Sequence, residues 1–263
     1  QIACEVGEYQ RTTGASDCIP ARYGYYVPIT GQSNQTVCPI GTYQPITGQS
    51  SCIDASAGFY VEQIGQSSQD ACPVGTYNPN NKSTNISDCI DADSGYYVEQ
   101  SGQSNQTPCS IGSFNPNTGG TNPNCVPAYR GYYVPSIGQS NQTICDVGTY
   151  QSGTGSSICD NADVGYYVDF IGSSYQIPCD ELKSTIEQSS KNETDCLPDL
   201  DSDLLPDIID DDDDGDEIND SEDQFKDDPT EWYDFDLDGI GDNQDIDDDN
   251  DGWSDAEELR AGS

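Results

Sequence analysis

Apolar residues over the first 198 positions come in very short runs, each set between a glycine and polar turn residues. One type of run reads Gly24-Tyr25-Tyr26-Val27 and returns as Phe59/Tyr60, Tyr96/Tyr97, Tyr132/Tyr133 and Tyr166/Tyr167, each pair between Gly and Val. A second type alternates with it and reads Cys-x-x-Gly-x-Tyr, as at Cys38, Gly41, Tyr43 and at Cys145, Gly148, Tyr150. Each run leads into a Gly-containing turn and a polar return segment. An aromatic or β-branched strand followed by a turn and a return strand predicts a β-hairpin. One such hairpin is too small to be stable alone. Stacked on their neighbours, the hairpins predict a quasi-one-dimensional rod.

The cysteines give the period. They stand at Cys4, Cys18, Cys38, Cys52, Cys72, Cys89, Cys109, Cys125, Cys145, Cys159, Cys179 and Cys196, with spacings that alternate between 20 and a shorter step of 14 to 17. The repeat is therefore 34 to 37 residues long with two cysteines. In its long half an alanine follows the cysteine by three: Ala21, Ala55, Ala92, Ala128, Ala162. Bridging across the 20-residue step would strand Cys4 and Cys196 at opposite ends, too far apart to join. The pairing expected is thus Cys4–Cys18, Cys38–Cys52, Cys72–Cys89, Cys109–Cys125, Cys145–Cys159 and Cys179–Cys196. In the last short half Leu182 replaces the glycine and Ser184 the aromatic, which predicts a cap and a boundary near Leu197-Pro198.

Cys-Pro-Ile-Gly-Thr-Tyr with a cysteine 14 residues on resembles the first module of tumour-necrosis-factor-receptor cysteine-rich domains and the related repeats of ephrin receptors, over about residues 1–196. Those families carry further cysteines per module, and the long half here has none. The resemblance therefore implies hairpin architecture rather than receptor activity.

From 199 the pattern changes. Four twelve-residue loops carry acids at positions 1, 3, 5, 9 and 12: Asp199, Asp201, Asp203, Asp207, Asp210; Asp212, Asp214, Asp216, Asp220, Asp223; Asp234, Asp236, Asp238, Asp242, Asp245; and Asp247, Asp249, Asp251, Asp255, Glu258. Calcium takes six to eight oxygens, and this spacing folds alternate carboxylates around one ion. Position 6 is Gly239 and Gly252 in the last two loops but Leu204 and Glu217 in the first two, which are expected to be less regular. The loops begin 13, 22 and 13 residues apart, which leaves no room for EF-hand helices. The segment closely resembles thrombospondin type 3 repeats, and the resemblance implies a calcium-wrapped coil. In the connector from Phe225 to Trp232, aromatics and Pro229 are expected to pack where vertebrate members use a disulfide.

The fold expected is therefore small, disulfide-rich and all-β: an elongated array of stacked hairpin repeats over 1–198, then a calcium-wrapped irregular coil over 199–263. Composition agrees, with only 33% hydrophobic residues, 26 Gly and 15 Pro. Hydrophobic burial alone barely offsets the ordering entropy of such a chain. Disulfides and calcium both belong to surroundings outside the cell. Net charge is −13 over 1–198 and −27 over 199–263, making −40, so nucleic acid and anionic membranes are poor partners. No apolar run is long enough to span a membrane, and no membrane insertion is expected. The chain opens at Gln1 without a signal peptide, as a mature chain or a fragment would. The fourth loop ends five residues before Ser263, where a continuing polypeptide is expected.

Sequons stand at Asn34, Asn81, Asn85, Asn105, Asn141, Asn192 and Asn219. Asn34, Asn105 and Asn141 share one place in the repeat and are expected to line one face with glycans. One member of each aromatic pair is expected to stack on the neighbouring hairpin in place of an aliphatic core. Catalysis finds no foothold, with no His and no cysteine left free once the bridges close. The reading is an extracellular structural protein, secreted or at the cell surface, that assembles with copies of itself into a calcium-stabilised filament, sheath or surface layer. The alternative is an adhesive or receptor-like stalk that binds a glycan or a surface protein.

Overall fold

The computed structural model describes residues 3–12, 16–121 and 125–261; Gln1 and Ser263 lie outside them. Among the described residues the chain is almost all β, built of two-residue antiparallel strands. Helix is confined to the 3-10 turns Ile86–Asp88 and Glu193–Asp195 and the α-helix Asp255–Ala261. Each aromatic strand pairs with its own return strand: Glu8–Tyr9 with Ile19–Pro20, Tyr25–Tyr26 with Thr36–Val37, Thr42–Tyr43 with Ile53–Asp54. The chain divides into two compact units. One comprises Gln1–Tyr129, Val134–Thr143 and Gly155–Ser157, the other Arg130–Tyr133, Ile144–Thr154 and Ile158–Ser263.

In the first unit, short and long halves turn out to be one structural element used repeatedly. The strand glycine of each hairpin donates its N–H to the next hairpin: Gly7 to Val27 O at 2.9 Å, Gly24 to Gln44 O at 2.9 Å, Gly41 to Val61 O at 2.8 Å. Inside each hairpin the cysteine or alanine N–H returns to that glycine's carbonyl, as from Ala21 to Gly7 O and from Cys38 to Gly24 O. Ala and Cys thus take the same slot in alternate hairpins, and both are fully buried there. Glycine is required at the strand position of Gly58: its φ is +89°, and a Cβ would collide with the Gly102 carbonyl two hairpins along.

The buried column consists of these Ala and Cys residues with Val27, Val61, Val98 and Val134, joined by the short-half aromatics Tyr9 and Phe114. The aromatic pairs are only half-buried, so they flank an aliphatic column rather than replace it. The first ring of a pair does reach a neighbour: Phe59 packs on Gly102 and Tyr96 on Gly138. In most short halves a buried amide stands in for Val, its hydrogen bonds met within the hairpin at Gln44 and partly by the preceding hairpin at Asn115, whose Nδ2 donates to Tyr96 O at 2.9 Å. Gln44 Nε2 donates to Ser51 O at 2.6 Å, and its Oε1 accepts from Ile46 N–H. The return-strand glutamines close each long turn, Gln35 Oε1 accepting from Arg22 N–H at 2.9 Å and Gln69 Oε1 from Ser56 N–H at 2.7 Å.

The second unit continues the pattern, with Gly148 N–H bonded to Val168 O and Ala162 N–H to Gly148 O. Apolar character then fades, since Ser184 and Thr185 stand in the slots of the aromatic and the valine. Leu182 takes the glycine's left-handed conformation at φ 58°, and Lys183–Ser184 still pairs with Leu197–Pro198. The last half is therefore a true hairpin, whose return strand ends at Pro198.

The six bridges join Cys4–Cys18, Cys38–Cys52, Cys72–Cys89, Cys109–Cys125, Cys145–Cys159 and Cys179–Cys196. Their Cα atoms lie 5.6 to 5.8 Å apart, and each bridge staples a short half. No described cysteine is free.

Candidate metal centre

In the acidic segment, carboxylates take over the work of secondary structure. The first aspartate of a loop accepts from the backbone ahead of it: Asp234 Oδ1 from Leu237 N–H at 2.7 Å and Oδ2 from Gly239 N–H at 3.0 Å. The third and fifth positions each accept from the N–H two residues on, as Asp236 does from Asp238 and Asp238 from Ile240. These tight turns fold the first three acids of every loop together. Asp199, Asp201 and Asp203 bring one oxygen each within 4.8 Å of the others, as do Asp212, Asp214 and Asp216; Asp234, Asp236 and Asp238; and Asp247, Asp249 and Asp251. The sixth residue has positive φ in all four loops: 80° at Leu204, 77° at Glu217, 95° at Gly239 and 94° at Gly252. The first two loops therefore have the same turn as the others, at a strain of about 1–2 kcal/mol for each non-glycine residue.

The ninth position is a staple and lies outside these triads. Asp207, Asp220, Asp242 and Asp255 each accept from the second residue of their loop, at 2.9, 3.1, 2.8 and 3.0 Å. Their own N–H groups bond the carbonyl just before the loop, as Asp242 does to Tyr233 O. The twelfth position divides in two. Asp210 and Asp245 accept from the N–H of the residue between loops, Asp211 or Ile246, and from that of the next loop's first aspartate, Asp212 or Asp247, and so join consecutive loops. Asp223 and Glu258 face their own loops. The Asp214 carboxyl is pushed up by burial and then by Asp216 and Asp223, and that of Glu258 by burial and then by Asp249 and Asp251.

Three acids escaped the sequence reading. Asp213 is raised to about 6, first by burial and then by the charges of Asp220 and Asp207. Asp220 is held low by the Asp213 N–H and by Lys226, so a proton shared by the pair resides on Asp213. Asp248 is raised in the same way by burial, Asp255 and Asp242. The available signal was an acid at position 2 in only the two loops that follow a 13-residue step. The third is Glu231, in the connector and only 2% exposed, whose Oε2 accepts from Asn243 N–H at 3.1 Å. No periodicity marked it.

Several of these carboxylate oxygens are buried without any hydrogen-bond donor: Asp199 Oδ1, Asp214 Oδ2, Asp216 Oδ2 and Asp247 Oδ1 in the triads, with Asp213 Oδ1, Asp248 Oδ1 and Glu231 Oε1 beside them. A buried carboxylate oxygen without a partner is costly. A cation removes that cost. The donors are all oxygen, without His or free thiolate, which suits a hard divalent ion rather than a thiophilic one.

Among the sequons, Asn34, Asn105 and Asn141 are exposed at the same turn position of the first unit. Asn81 Oδ1 accepts from Ala57 N–H, and Asn85 Oδ1 from Ser87 N–H in a capping box. Asn192 precedes the turn Glu193–Asp195, its N–H bonded to Asp195 Oδ2, and Asn219 is exposed in the second acidic loop.

A family model described as tyrosine-protein kinase ephrin type A/B receptor-like matches residues 47–89, a stretch holding Cys52, Cys72 and Cys89. No curated protein matches the chain. The match and the six bridges support cysteine-rich repeats, and a disulfide-rich module similar to that family points to the extracellular space or cell surface. Among the described residues no helix is long and apolar enough to cross a membrane.

Proposed function

We propose that the chain is an extracellular structural protein whose acidic segment is a thrombospondin type 3-like calcium coil, and that it assembles with copies of itself into a calcium-stabilised filament, sheath or surface layer. One observation carries the calcium reading: Asp199 and Asp214 are buried within their acidic triads with an oxygen that no donor meets. Calcium supplies the missing partner and offsets the −27 charge of residues 199–263. Assembly is supported by a repeated apolar feature, the exposed Ile29, Ile64 and Ile137 beside the long-half turns of the first unit. Catalysis has no part in this reading.

The match at residues 47–89 favours a second reading, an adhesive or receptor-like stalk that binds a protein or glycan. Negative-stain imaging of native material in millimolar calcium and after chelation separates the two. Polymers that disperse on chelation support the filament. Single particles in both conditions overturn it in favour of the stalk.

A further inference from the structure

The hairpin stack does not stop at the last bridge. Cys179 N–H bonds Gly165 O at 2.8 Å in the slot that alternates between Cys and Ala, here half-buried, and Asp199 N–H bonds Leu182 O at 3.0 Å in the same relation one hairpin on. Asp199 thus fills the next slot of the series, yet it is also the first acid of the first loop. The loop covers the stack: Leu204 packs against Gly165, where earlier hairpins place a turn glycine, and its carbonyl accepts from Ser184 Oγ at 3.2 Å. Asp199 is 2% exposed, its Oδ1 has no donor, and one of its oxygens lies within 4.8 Å of oxygens of Asp201 and Asp203.

We infer that the last disulfide hairpin is part of the first cation site, with Asp199 as the shared residue, so that loading that site and closing the hairpin are one event. In every other hairpin the slot holds a neutral side chain, and the stack closes without help. Here it holds a carboxylate that keeps backbone donors from Ser202 and Leu204 but has one oxygen, Oδ1, that has lost its water and gained no donor, so closure with the group charged calls for a cation. The hairpin in turn presents one of the three ligands already in place, which removes part of the ordering cost of binding. This inference rests on the calcium reading and goes beyond it, by assigning the disulfide array a role in the affinity of one particular site.

The test is hydrogen exchange of the full chain, with and without 2 mM calcium, beside calorimetry. At a Kd of about 10⁻⁴ M, linkage predicts about 20-fold slower exchange for amides of 182–199 when calcium is present, and no change in 38–72. Asp199→Ala, which restores the residue the slot holds elsewhere, should keep the hairpin closed without calcium and lower the stoichiometry by about one ion. The inference is overturned if the wild-type chain binds calcium while 182–199 exchanges alike in both conditions. It is equally overturned if Asp199→Ala retains the calcium-dependent protection. A wild-type chain that binds no calcium at millimolar concentration overturns the calcium reading itself, and this inference with it.

Discussion

Replacing Gly58 by alanine tests whether stacking rests on backbone contact. Gly58 has φ +89°, and its N–H bonds Asn78 O at 2.8 Å. A Cβ there would collide with the Gly102 carbonyl oxygen and lie 2.6 Å from the carbonyl carbon. The left-handed conformation alone costs a residue with a Cβ about 1–2 kcal/mol. Relieving the collision separates the hairpins and leaves a buried carbonyl unmet, which costs about 2 kcal/mol. The total is about 3–4 kcal/mol. Gly31→Ala is the matched control: φ is +73°, but the nearest atom to an added Cβ is Ala3 Cβ at 3.9 Å, an ordinary contact. It should cost only the conformational part, about 1–2 kcal/mol. In a repeat array the loss is local, so native-state hydrogen exchange is the appropriate measurement. A difference of about 2 kcal/mol is about 30-fold in exchange rate for amides between 58 and 78. Equal effects from the two variants would refute the claim that hairpin contact, rather than turn conformation, sets local stability.

Three further outcomes are expected. At neutral pH, residues 199–258 should order only with calcium, at a Kd of roughly 10⁻⁴ to 10⁻³ M; circular dichroism indifferent to chelator at that pH would count against this. Because Asp213 is raised to about 6, the folded cation-free state holds a proton that the unfolded chain, with a carboxyl near about 4, releases. Order around Asp213 should then be greatest below about pH 4 and decline as pH rises through about 6, and a carboxyl NMR titration with its midpoint near 4 would contradict it. Opening Cys72–Cys89 should cost about 3 kcal/mol on the chain-entropy model, and non-reducing peptide maps should contain no Cys18–Cys38 pair.

Much of the array is legible in the sequence because its signals are local. Turn glycines, paired aromatics and alternating cysteine steps each act within one hairpin, and together they locate the strands. The buried column is harder to see. Ala21 and Cys38 occupy equivalent slots but differ chemically, so the short and long halves look like two elements when they are one. The amides Gln44 and Asn78 read as turn residues, yet they are buried where their side chains can bond their own hairpin. In the acidic loops, spacing located the triads because turns closed by an aspartate repeat every second residue. Spacing could not show that Asp207 and Asp220 also close their loops by accepting from the backbone, since that depends on how the chain turns and not on the interval between acids.

The position least legible in the sequence is Asp199, and the reason is physical. A change from Ala or Cys to Asp looks like the end of one pattern and the start of another. The structure shows the two patterns sharing that residue. Both halves of the chain face the same difficulty, too little apolar surface to hold a backbone in place, and each meets it with short-range crosslinks. In the hairpins these are sulfur bridges about 14 to 17 residues apart that form once and persist. In the loops they are carboxylate groups two residues apart that suit a removable ion. With Asp199 in the stack, the permanent system ends where the reversible one begins, and Leu182–Pro198 is the hairpin through which the loss of an ion would first reach the disulfide-stapled array.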